Sequence, residues 1–323
     1  MKRYIASLFI VYFLVACGGS DSPYLTTAQE QVRGKTLGTW ILTTSSFENS
    51  NATQSSPSYI FANLANRNIK HIDQLISFEH LTDNSYQIAN EEELMDFIAQ
   101  ASKEGIRANL LINDTEFFTQ SNYEESMKKV ETIMDFNNLL ISIHATKLVG
   151  IKFRVDMERS QGWAINRHDT LYNTLYFLYQ AKTKIEREGS TLFLSVDVDD
   201  AWESGSYSLS YNHNDKTFTE HLLDTVTYIT VLSFSRDVGG VMSKIEDELQ
   251  YCKDEQLTNR IVPALAVSPI LNAGDSFYGL RDSTLFWNTL NQLQKEVEDD
   301  LRVPMIMIER FEYFDQIPPV PAS

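Results

Sequence analysis

Gly150-Ile151-Lys152-Phe153-Arg154-Val155-Asp156-Met157-Glu158 sorts two chemistries by alternation. A β-strand sends successive side chains to opposite faces, so Gly150, Lys152, Arg154, Asp156 and Glu158 point one way. Ile151, Phe153, Val155 and Met157 point the other way and can be buried against helices. The charged face needs a partner. About forty residues on, Leu192-Phe193-Leu194-Ser195-Val196-Asp197-Val198-Asp199 repeats the arrangement, with Leu192, Leu194, Val196 and Val198 apolar and Ser195, Asp197 and Asp199 polar. Two strands with apolar outsides and ionic insides, joined by a helical stretch, predict neighbouring strands of an α/β, (β/α)8 TIM barrel whose lumen carries charge.

Barrel interiors are ordinarily filled by branched apolar layers, and functional residues gather at the C-terminal ends of the strands. Asp156, Glu158, Asp197 and Asp199 are expected there. Once out of water, Lys152 and Arg154 must be paired, with Asp197 and one further carboxylate as the expected partners. A buried ion-pair lattice without catalysis satisfies the same requirement.

Working outward, residues 38–43, 71–78, 107–114, 227–235, 261–268 and 303–311 read as six further strands. Between them lie helical patterns. One starts at Pro57 and carries Ile60, Phe61 and Leu64; another follows an Asn90 cap and carries Leu94, Phe97, Ile98 and Ala101. A third runs over about 123–138. A fourth follows an Asp169 cap, with Leu171, Leu175, Leu178 and Ala181 at helical spacing. A short helix is expected near His221, a longer one over about 241–255, and a last one behind Asp282 or Ser283 through Trp287, Leu290 and Leu293. Strands alternating with helices imply parallel crossovers and one closed barrel over residues 37–315. The Pro-rich stretch 316–323 cannot continue a sheet and should be exposed.

At the other end, Lys2 and Arg3 precede an apolar run over 4–15, too short for an ordinary membrane helix and laid out as a secretory signal. Leu14-Val15-Ala16-Cys17 then resembles a bacterial lipobox. That resemblance implies cleavage after residue 16 and a lipid on Cys17. It also implies a tether over 17–36 and a place in the cell envelope, on the outer membrane since Gly18 and not Asp follows the cysteine. The second cysteine, Cys252, is in helical register with Met242, Ile245 and Leu249 and is expected in the core. The formal charge of −17 disfavours nucleic acid and anionic lipid as partners. Six histidines show no metal-binding spacing, and no dinucleotide fingerprint, phosphate loop or nucleophile elbow occurs, so neither a metal nor a cofactor is expected.

Val149-Gly150-Ile151 leading to Asp156-Met157-Glu158 is similar to the fourth strand of family-18, chitinase-like glycosidases. Gly150 through Trp163, with Ser195-Val196-Asp197 and Val231-Leu232-Ser233-Phe234, resembles a group of bacterial barrel proteins related to glycosidases, over roughly residues 145–312. The family resemblance implies that Glu158 is the general acid and that Asp156 orients the substrate acetamido group serving as internal nucleophile. A carboxyl beside an anionic neighbour in a partly dry lumen holds its proton near neutral pH. Three positions depart from the family pattern. Lys152 and Arg154 replace earlier aspartates, Met157 stands for a tryptophan, and Phe234 for a tyrosine that would donate to the acetamido group.

The cations, if close to Asp156 or Glu158, would favour the ionised forms and spoil a general acid. An alternative pair is Glu158 with Asp199, or with Glu309 or Glu312 on the eighth strand, as ordinary acid and nucleophile. Trp163, Trp202, Tyr207 and Tyr211 could stack on sugar rings or simply pack loops. The sequence therefore supports a lipid-anchored glycoside-hydrolase-like barrel acting on envelope or environmental polysaccharide. A glycan-binding or polysaccharide-assembly lipoprotein without turnover is the alternative.

Overall fold

A computed structural model describes residues 35–44, 56–114, 117–154, 157–269, 273–280 and 283–318. Cys17, with its leader and the tether through residue 34, lies outside the described residues, and so do Val155, Asp156, Asp282 and the chain beyond 318.

Eight parallel strands close into a barrel: β1 (Thr36–Ile41), β2 (Ile69–Leu75), β3 (Arg107–Ile112), β4 (Gly150–Arg154), β5 (Phe193–Val198), β6 (Tyr228–Val231), β7 (Ile261–Ala266) and β8 (Met305–Glu309). Closure comes from β8 pairing with β1, as Thr36 with Met305 and Gly38 with Met307. Each expected strand is present, and each has a C-terminal bound short of the expected one. For β4 this matters, because Glu158 falls in the 3-10 turn Met157–Arg159 and not in the strand.

The apolar outward faces of the strands meet the buried stripes of the helices. Ile60, Phe61 and Leu64 of the helix Pro57–Asn66 are buried, as are Leu94, Phe97, Ile98 and Ala101 of Glu91–Lys103. Leu171, Leu175, Leu178 and Ala181 of Arg167–Arg187 are buried too. Phe153 of β4 packs into a ring cluster with Phe117, Phe118 and Phe177. Cys252 is a core residue whose thiol burial pushes up to about 12, so it is no nucleophile.

One predicted cap, Asp169, is wrong, and another, Asn90, is the N-cap residue but makes no side-chain capping bond. Asn90 has a left-handed backbone, and the helix after 166 is capped by Asn166, whose side chain accepts from Asp169 N–H. The helix expected over 241–255 is two, Val238–Ser243 and Glu246–Asp254. Two antiparallel hairpins were not foreseen: Phe78–His80 with Tyr86–Ile88, and Ser208–Tyr211 with Asn214–Thr217. Their strands are too short for alternation to mark them. At the C-terminal end, Ile317 and Pro318 are held by their carbonyls, which accept from Arg67 and Trp287 at 2.7 and 2.8 Å.

Glycine shapes the charged side of the lumen. A Cβ at Gly150 would lie 2.5 Å from the Phe193 carbonyl oxygen and 3.2 Å from Asn109 Oδ1. The missing side chain lets β3, β4 and β5 close around the residues above it.

Candidate active site

The lumen is split by chemistry. Trp40, Leu111, Tyr228, Val262, Ala264, Met305 and Met307 form an apolar plug, against which half-buried Phe234 packs. Beside it, Lys152 Nζ lies 2.8 Å from Asp197 and 3.7 Å from Asp73, and donates to Thr230 Oγ1. Trp40 Nε1 donates to the other Asp197 oxygen at 2.9 Å. The Asp73 carboxylate also takes His71 Nε2 at 2.9 Å and the Asn109 amide at 2.8 Å, and that amide donates on to Tyr228 Oη at 2.7 Å.

Burial works to raise both carboxyls. At Asp73, Lys152, His71 and the Asn109 amide outweigh burial and hold the group below the ordinary aspartate value. At Asp197, burial prevails over Lys152 and Arg154, with Asp73 adding repulsion, and the group sits above it. Burial likewise lowers His71 and favours its neutral form. Lys152 is fully buried and Asp197 is 2 % exposed, so neither reaches a ligand; the expectation that both bind substrate is corrected to a buried ionic lattice.

One layer higher, Arg154 reaches Glu309 at 3.0 Å, and Ser268 Oγ donates to the second Glu309 oxygen at 2.9 Å. Glu309 is buried at the end of β8. It is not free to be a nucleophile, since both oxygens are engaged. Glu312 belongs to the short helix Phe311–Phe314 and not to the eighth strand. Its carboxylate accepts from Leu42 N–H at 2.9 Å, and burial raises its pKa.

Of the remaining predicted carboxyls and rings, Glu158, Asp199, Trp163 and Tyr207 lie at the rim of the mouth. Glu158, exposed on its turn, accepts from Trp202 Nε1 at 3.3 Å and Tyr207 Oη at 3.4 Å. Asp199 follows the last residue of β5 and accepts from Ala201 N–H at 2.9 Å. Burial, Asp200 and Glu158 hold its carboxyl above the ordinary value against that opposing hydrogen bond. Asp199 is therefore the rim carboxyl suited to keep a proton. Trp163 and Tyr207 stack with centroids 5.9 Å apart, and Arg167 lies 5.1 Å from the Tyr207 ring and 5.8 Å from the Trp163 ring.

Two predicted platforms are not platforms. Trp202 is buried edge-on against Phe218 and offers only its N–H to the rim. Tyr211 is buried in the second hairpin beside Tyr172 and His221, among residues of the outer helices. The sequence reading also missed residues. His71, Asp73 and Asn109 complete the lattice, and the alternation His71-x-Asp73 on β2 was the available signal. Ser268 gave no signal, because its partner Glu309 is distant in sequence; Arg167 was passed over although Trp163 lies four residues before it.

No family model matches the chain, and no curated protein sequence does. Solved structures do. A GH18 chitinase from Pseudoalteromonas aurantia aligns with a TM-score of 0.53 at 10% identity, covering 88% of this chain and 100% of that one. A chitinase from Chromobacterium violaceum gives 0.50 at 11%, covering 86% and 95%. A chitinase from Bacteroides thetaiotaomicron gives 0.50 at 14%, covering 86% and 90%. The chain is a single-domain (β/α)8 barrel with a fold similar to that of family-18 chitinases.

Proposed function

We propose that this barrel is a glycosidase-like protein that acts on polysaccharide through the rim carboxyls Asp199 and Glu158. The observation that carries the reading is the placing of Glu158, held by Trp202 and Tyr207, and of Asp199, next after β5, at the mouth that bears the Trp163–Tyr207 stack. Asp199, held above its ordinary pKa, donates a proton to the leaving oxygen, while Glu158, oriented by Trp202 and Tyr207, serves as the second carboxylate. The half-buried ring pair supplies an apolar face for a sugar. Asp156 keeps the role the family resemblance implies, orienting the substrate.

One observation favours a second reading, glycan binding or polysaccharide assembly without turnover. The Arg154–Glu309 pair fills the floor of the mouth, where the family places aspartates, and Phe234 contributes no phenol. For either reading we place the protein in the bacterial envelope as an outer-membrane lipoprotein anchored through Cys17. Replacing Cys17 with Ser should release it from membranes; unchanged fractionation and no acyl label on the wild type would end that placement.

The enzymatic reading is tested by screening purified glycans first for binding and then for cleavage. On a glycan that the wild type cuts, Asp199→Asn and Glu158→Gln should each lower turnover by about 10²-fold or more with little change in binding. Full activity in both variants would remove the site from the rim. A wild type that binds and never cuts would establish the second reading.

A further inference from the structure

A cavity of ≈ 870 Å³ lies at the end of the barrel opposite the rim. Its lining includes Arg107 and Phe193, the first residues of β3 and β5, and Val149, Thr227 and Arg260, which immediately precede β4, β6 and β7. The last turns of the helix Arg167–Arg187 complete the wall with Lys182, Ile185 and Glu186. We propose that this cavity binds a small amphiphilic anion, a carboxylate or phosphate group on an apolar body.

Charge is the first argument. The chain carries −17 overall, yet this cavity is lined by Arg107, Lys147, Lys182 and Arg260 against Glu186 as the one carboxylate. Such a local reversal of sign focuses an anionic ligand to the site. Cations in a last helical turn often serve the helix dipole, and Lys184 does so here while also pairing with Glu131 and Glu188. Arg107 begins a strand and Lys147 lies in a loop, so dipole compensation does not account for them.

Lys182 is the second argument. It is half-buried, and among the described residues its ammonium makes no hydrogen bond or ion pair. Burial lowers its pKa, with Glu186 and Asp224 pulling up and Arg260 pushing down. A bound anion would supply the partner that this half-desolvated cation lacks. Arg260 is fixed in place by donating from Nη1 to the Val226 and Thr227 carbonyls at 2.6 and 3.0 Å. Ile106, Leu148, Ile185 and Leu192 form the apolar part of the wall, which a bare inorganic ion would leave unfilled.

The test is calorimetric titration of the intact protein with octanoate, octyl phosphate, inorganic phosphate and neutral 1-octanol. At least one octyl anion should saturate a single site, at least tenfold tighter than octanol and inorganic phosphate, by roughly the worth of one charged hydrogen bond. Comparing octanoate with octyl phosphate identifies the preferred head group. Lys147→Gln combined with Lys182→Gln should weaken that anion by about tenfold or more while the melting temperature of the free protein stays unchanged. Amide exchange should slow over 146–149 and 190–194 on binding. Equal affinity for octanol, tighter binding of inorganic phosphate, protection elsewhere, unchanged affinity in the double variant or no saturation by either octyl anion would each overturn the proposal.

Discussion

Lys152 on the fourth strand lies 2.8 Å from Asp197 on the fifth and 3.7 Å from Asp73 on the second, with no exposed surface on its side chain. One cation thus serves two carboxylates in a lumen that most barrels of this kind fill with branched apolar side chains. Lys152→Ala should destabilise the protein by about 3–5 kcal/mol, because both carboxylates keep their desolvation cost and lose their cation. Urea unfolding measures it. Lys152→Met combined with Asp197→Asn should recover part of the loss, since the asparagine oxygen still accepts from Trp40. A double variant no more stable than Lys152→Ala would place the cost in lost packing.

Arg154 makes a contrasting pair. Its side chain is 14% exposed and Glu309 keeps the Ser268 hydroxyl, so the stranded carboxylate retains a partner and some access to water. Arg154→Ala should therefore cost about 2 kcal/mol, less than loss of the lumenal lysine. A cost equal to that of Lys152→Ala would show that the mouth floor is as dry as the lumen.

The rings at the rim separate platforms from packing. Tyr207→Ala removes one face of the Trp163 stack and should weaken binding of a recognised glycan by about tenfold. Tyr211→Ala should leave glycan affinity unchanged while lowering the melting temperature, because Tyr211 is buried against Tyr172 and His221. Equal effects on glycan affinity would mean that loop order, and not ring contact, governs binding.

The alternation in Gly150 to Glu158 made the barrel and its charged lumen legible, because strand period and pairing requirements are local rules that fix which side chains share a face. It failed beyond the strand. Nothing in the pattern marks the 3-10 turn Met157–Arg159, so Glu158 looked like an inward residue when it stands exposed on that turn. Aromatic content marked the loop after β5 as unusual, but composition could not separate Tyr207 at the rim from Tyr211 in a hairpin. Asp199 was legible as a partner for Glu158, but its raised pKa was not, because its burial and its approach to Glu158 arise only on folding.

Glu248 gives a pH-dependent test of the loop that holds the rim. It is buried on the helix Glu246–Asp254, and burial, then Glu203, push its carboxyl up to about 9. Glu203 ends the 3-10 turn Asp200–Glu203, which also carries Trp202, a hydrogen-bond donor to Glu158. Burial raises Glu203 as well, with Asp247 and Asp200 adding to it. The repulsion of Glu203 therefore ties the Glu248 carboxyl on the outer helix to the rim loop. The native state keeps the Glu248 proton at pH values where the unfolded chain releases it, so its contribution to stability is full below about 4.5 and is lost as pH rises to about 9. Glu248→Gln keeps the shape and does not titrate. Wild-type stability should fall relative to the variant across that window, by a few kcal/mol on the order of one to two pKa units or more of linkage. Thermal unfolding of both proteins from pH 5 to pH 9 reads the difference, and parallel curves would show that the Glu248 proton is not held by the fold.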